Sequence, residues 1–80
     1  MDVPAASDPR WTQLLTSVSD PGFEFLAARI FMGRAKAQLK QDGSPTNVSK
    51  LVGQLHALYS ENARLPKVQR DLAKIFSGAA

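Results

Sequence analysis

Cysteine is absent from this chain and histidine occurs once, and these two gaps remove whole classes of chemistry. Without cysteine there is no disulfide framework and no thiolate nucleophile, and a zinc centre of the usual Cys/His kind has no ligand set. Glycine-rich phosphate loops are missing too: the surroundings of Gly43 and Gly53 match neither a dinucleotide fingerprint nor a P-loop. No apolar run approaches the ~18 residues that would suggest a membrane span. The stretch Met1 to Ser7 carries Asp2 and no base, and it lacks the apolar core of about 7–15 residues that a secretory signal needs. The expected compartment is therefore the cytoplasm.

What is present is a mildly basic chain of 80 residues, 44% hydrophobic, with ten Lys+Arg against seven Asp+Glu and a formal net charge of +3. That hydrophobic content is too high for a disordered tail and enough for one small core. A domain of this size buries only about 60% of the surface its unfolded chain exposes, so stability is modest and a partner or self-association can matter to it. Small residues at both ends (Ala5, Ala6, Ser77, Gly78, Ala79, Ala80) suggest a flexible segment over 1–8, one domain over 9–77 and a flexible end over 78–80.

Prolines punctuate the middle. Asp8-Pro9, Asp20-Pro21 and Ser44-Pro45 each pair a capping side chain with a proline suited to the first helical position, whereas Leu65-Pro66 has the proline without the cap. Gly43 and Gly78 supply the matching stops. The expectation is an all-α fold of four helices near 9–18, 21–41, 45–63 and 66–77. Side-chain spacing agrees: Trp11, Leu14, Leu15 and Val18 share one helical face, as do Val48, Leu51, Val52, Leu55, Leu58 and Tyr59, and then Val68, Leu72, Ile75 and Phe76.

The second helix differs. At about 100° per residue, Phe25, Ala28, Phe31, Met32, Ala35 and Leu39 collect on one side, and Phe23, Leu26, Ile30 and Ala37 on the other. Arg29, Lys36 and Lys40 run between them with Gly33, and Arg34 lies on the opposite border. A helix apolar on two faces is expected to be central. The arrangement that follows is a small bundle built on an antiparallel hairpin of the second and third helices, with the first and fourth packed across it.

Three functional readings arise from these patterns. Three phenylalanines near the start of the second helix exceed what one short helix readily covers, which leaves Phe23, Leu26 and Ile30 as an apolar patch for a partner's helix or a second copy. Arg29, Arg34, Lys36 and Lys40 would border that patch and steer a partner with an acidic surface, although a basic strip also serves simply as a solvated face. The leading expectation is a small non-catalytic interaction module of the adaptor, small-chaperone or regulatory-subunit kind. The alternative is a nucleic-acid-binding regulator using Lys67, Arg70 and Lys74, spaced to reach phosphates along one helix. Against it, the junction Ala63 to Pro66 lacks the glycine-bearing turn usual between such helices.

No catalytic, cofactor or metal site is expected. His56, at the edge of the third-helix stripe, reads as a partly buried, hydrogen-bonded side chain. Glu24, Glu61 and Asp71 fall on three different helices, with no spacing that pairs them for acid/base work.

Overall fold

The computed structural model describes residues 1–17 and 22–76. It is all-helical over those residues, with α1 (Pro9–Thr16), α2 (Leu26–Gln41), α3 (Pro45–Glu61) and α4 (Pro66–Phe76). No helix among the described residues is long and apolar enough to cross a membrane.

Helix α1 starts where the sequence places it. The Asp8 carboxylate accepts from the Arg10 amide at 2.9 Å and also binds the Arg10 guanidinium at 2.8 Å, with Pro9 in the first turn. It stops at Ser17, whose extended backbone (ψ 147°) ends the helical path. Val18, expected in this helix, lies outside the described residues. Helix α3 opens in the same manner, with the Ser44 hydroxyl accepting from the Asn47 amide at 3.3 Å and Pro45 following the cap. It ends at Glu61, two residues earlier than expected, because the Asn62 side chain folds back to donate to the Leu58 carbonyl at 2.8 Å. The turn through Asn62 to Leu65, closed by an amide-to-carbonyl bond of 3.0 Å, separates α3 from α4.

Helix α2 is the correction. It begins at Leu26 rather than at the Asp20-Pro21 junction, which lies outside the described residues. Gly22 adopts φ +69°, a left-handed conformation through which a right-handed helix cannot run. Phe25, the residue before α2, provides no side-chain cap. Instead the Asp71 carboxylate, on α4, accepts from the amides of Glu24 (2.8 Å) and Phe25 (2.9 Å). Both amides precede the helix, so Asp71 fixes the strap that leads into α2 and sets a negative charge near its N-terminus, where it is favourable.

The core lies where α3 packs against α1 and α2. Leu51, Val52, Leu55 and Tyr59 of α3 meet Trp11 and Leu15 of α1 and Ala28, Met32 and Ala35 of α2. Side chains Val68, Leu72 and Phe76 bring α4 into the same cluster. The aromatic centre is dense: the Trp11 ring is 4.9 Å from Phe76 and 5.7 Å from Tyr59, and Tyr59 meets Phe25 edge-on at 5.7 Å. His56 is half-buried, edge-on to Trp11 at 5.7 Å and 3.4 Å from the Ser60 hydroxyl.

Some of the first eight residues, expected as a flexible segment, contact the bundle. Val3 packs on the core, the Pro4 carbonyl accepts from the Trp11 indole at 3.2 Å, and Gln69 brackets the Met1 ammonium and carbonyl at 2.6 and 3.0 Å. A buried indole N–H needs an acceptor, and Pro4 provides it. Ser77 and the expected 78–80 tail lie outside the described residues.

Candidate partner-binding face

The two apolar faces of α2 meet different fates. Ala28, Met32 and Ala35 are buried against α1 and α3, while on the opposite face Leu26 is 61% exposed and Ile30 51%. The expectation that neighbours cover both faces therefore fails. With α1 and α3 on the inner side and the short α4 engaged through its own apolar stripe, no element among the described residues lies on the outer side of α2.

Phe23 does not belong to that outer face. Its expected place beside Leu26 assumed helical phase from Pro21 onward, but residues 22–25 form a non-helical strap, and Phe23 turns inward. It is 2% exposed and meets Tyr59 edge-on with centroids 6.4 Å apart. It still contributes to the wall of a shallow groove of about 470 Å³ along α2, together with Leu26, Arg29, Ile30, Gly33 and Lys36. Five of the seven residues proposed from sequence line or flank this groove in one place: Phe23, Leu26, Ile30, Arg29 and Lys36. Arg34 is exposed elsewhere on α2, and Lys40 sits at a second groove of about 440 Å³ with Leu15, Leu39 and Val48.

The residues of the nucleic-acid alternative are differently engaged. Arg70 Nε binds Glu24 Oε2 at 2.7 Å, and Lys74 Nζ donates to the Gly22 carbonyl at 3.3 Å. These bonds and those of Asp71 fasten residues 22–25 to successive turns of α4. Lys67 is exposed. Two of the three cations are thus directed at the chain's own strap rather than presented as a row toward solvent. The Arg70 guanidinium holds the Glu24 carboxyl below its usual range, as Arg10 does for Asp8.

Asp71, weighed in the sequence only as an acid/base candidate, has a structural role that the sequence reading does not assign. It is fully buried, and besides the two amides it receives the Tyr59 hydroxyl at 3.2 Å. Burial, and secondarily the adjacent Asp71 carboxylate, push the Tyr59 phenol far above the ordinary tyrosine range. A signal was available: Asp71 falls at i+3 in the Val68, Leu72, Ile75 stripe, an acid at a core phase, which calls for buried partners. Because both side chains are sealed from solvent, this pair is placed to hold helices together and not to meet a substrate. No group of three or more His, Cys, Asp or Glu among the described residues is arranged to hold a metal ion.

Comparison with protein-family models, with curated proteins and with solved structures gives no match to this chain. Its functional reading rests on its own geometry.

Proposed function

We propose that the chain is a small, non-catalytic protein-interaction module, of the adaptor, small-chaperone or regulatory-subunit kind, working in the cytoplasm. In this reading the scaffold is an antiparallel hairpin of α2 and α3 with α1 and α4 packed across it, and the outward face of α2 receives another protein. The observation that carries it is the exposure of Leu26 and Ile30, one helical turn apart on a face that no other element among the described residues covers. Neighbouring apolar side chains of this size lose contact with water when a partner docks, which supplies affinity. Arg29 and Lys36 at the groove, with Arg34 and Lys40 further along α2, supply long-range attraction for an acidic surface.

The test is affinity capture from native lysate with the wild-type chain and with Leu26→Gln/Ile30→Gln. The double variant is expected to melt like the wild type and to lose its co-purifying protein. Retention of the same protein by the variant would overturn the reading. Tight retention of the chain on heparin that falls steeply with salt would point instead to the nucleic-acid reading, which the commitments of Arg70 and Lys74 to Glu24 and Gly22 disfavour.

A further inference from the structure

The outer face of α2 has a register as well as exposure. Leu26, Ile30, Gly33 and Ala37 follow one another at intervals of four, three and four residues, the alternation of the d and a positions of a heptad. All four are exposed. In that register Arg29 and Lys36 occupy consecutive g positions and Arg34 the e position, so cations flank the seam on both sides with no acid among them. The core-facing residues Ala28 and Ala35 fall at f, opposite the seam. One helix thus carries two separate packing surfaces, of which the fold uses one.

Gly33 adds a second, independent feature. Glycine inside a helix costs about 1 kcal/mol relative to alanine, and among the described residues a Cβ built at Gly33 meets no atom within 4 Å, while its backbone is ordinary helix. On the seam, however, its missing side chain opens a notch beside Ile30 in which the ridge of an incoming helix can come close to the α2 backbone.

We infer that the occupant of this seam is an acidic amphipathic helix of another protein, lying along α2 with apolar residues against Leu26, Ile30, Gly33 and Ala37 and with Glu or Asp facing Arg29, Arg34 and Lys36. This rests on the interaction-module reading and specifies its partner. The flanking charge decides against a second copy of the chain. In a parallel pair g faces e of the partner helix, which sets Arg29 against Arg34; in an antiparallel pair g faces g, which sets Arg29 against Lys36. Either way like charges oppose each other beside a short seam, whereas an acidic helix turns every one of these pairings into attraction. The seam runs about 17 Å from Leu26 to Ala37 at ~1.5 Å per residue, so the contact belongs to the small, transient class of interfaces.

The experiment uses the full chain and two labelled helical peptides, identical at the a and d positions with Leu and Ile, one with Glu at every e and g position and the other with Lys. Fluorescence anisotropy is expected to show the Glu peptide binding at least ~10-fold more tightly than the Lys peptide, a difference that shrinks with salt. Arg29→Glu/Arg34→Glu is expected to invert the preference, an outcome that loss of folding would not produce, and circular dichroism checks that this variant remains helical. Equal binding of the two peptides, binding of neither, or a dimer in sedimentation equilibrium that Ile30→Gln dissociates would overturn the inference. If the peptides fail while Leu26→Gln/Ile30→Gln still abolishes capture from lysate, the module reading survives and only the acidic-helix partner falls. If both fail, the outer face of α2 is not an interface.

Discussion

The Tyr59 hydroxyl on α3 donates to the Asp71 carboxylate on α4 at 3.2 Å, with both side chains fully buried. Through the same carboxylate the Glu24 and Phe25 amides are held at 2.8 and 2.9 Å. One acid therefore ties α3, α4 and the start of α2 at a single point. It also positions the strap whose Phe23 closes the core beneath the proposed binding groove.

Asp71→Ala is expected to lower stability by about 2–4 kcal/mol, since it removes the acceptor of two part-buried amides and strands the buried Tyr59 hydroxyl. For an 80-residue chain with a total near ~0.1 kcal/mol per residue, that removes a large share of the folded-state margin. Asp71→Asn is not conservative here, because an amide offers one acceptor oxygen and directs N–H donors at donors. Tyr59→Phe, which leaves Asp71 with its two amide partners, is expected to cost only about 1–2 kcal/mol. Urea denaturation followed by circular dichroism ranks the three, and an Asp71→Asn variant as stable as wild type would show that the carboxylate is not the fastening point.

Tyr59 also sets an alkaline limit. In the unfolded chain a tyrosine releases its proton near pH ~10, whereas burial and Asp71 keep the folded phenol protonated well beyond that. Above this pH the unfolded state binds fewer protons than the folded state, so stability falls as pH rises. The contribution of Tyr59 is complete below about pH 10 and is lost progressively above it. Because Tyr59 is the only tyrosine, tyrosinate absorbance reports it alone. Ionisation is expected to coincide with loss of helical signal, and a phenol that titrates at its ordinary value while the helices persist would contradict the buried pairing.

Much of this fold is legible in the residues themselves. Helices α1 and α3 follow from Asp8-Pro9 and Ser44-Pro45, because cap and first turn are local and need no tertiary information. Their buried residues follow from periodicity. The start of α2 does not, since the strap before it is held through the Glu24 and Phe25 amides by Asp71, 47 and 46 positions away, and no local pattern reports an anchor supplied by another helix. The same distant bonds explain why Phe23, which helical phase places on the outer face, sits in the strap and turns inward. The division of α2 into two apolar faces was legible, but which face is left uncovered depends on the number of neighbouring elements, and that is a property of the assembled bundle.

Phe23 and its former companions on the expected patch are therefore predicted to separate experimentally. Phe23→Ser removes a ring packed against Tyr59 and is expected to cost about 3–5 kcal/mol, enough to unfold much of the population. Leu26→Gln and Ile30→Gln replace exposed side chains by a residue of comparable helix propensity, and each is expected to stay within about 0.5 kcal/mol of wild type. Thermal melts of the three single variants decide this. Equal losses at all three positions would place Leu26 and Ile30 under a covering element and remove the free face.

The two helix-interior glycines give the sharpest separation between folding and binding. A Cβ at Gly33 on α2 or at Gly53 on α3 meets nothing within 4 Å, and both residues are exposed. Each substitution by alanine is expected to stabilise the chain by about 1 kcal/mol through helix propensity and reduced freedom of the unfolded state. Their effects on binding should differ. Gly33 lies on the Leu26, Ile30, Ala37 seam, where a methyl group fills the notch and holds the incoming helix away from the α2 backbone, whereas Gly53 lies on α3, away from that groove. Gly33→Ala is therefore expected to raise the melting temperature and weaken the acidic peptide several-fold, while Gly53→Ala raises the melting temperature and leaves affinity unchanged. If Gly33→Ala binds the peptide as tightly as wild type, close helix approach at this notch is wrong even if the apolar seam is right.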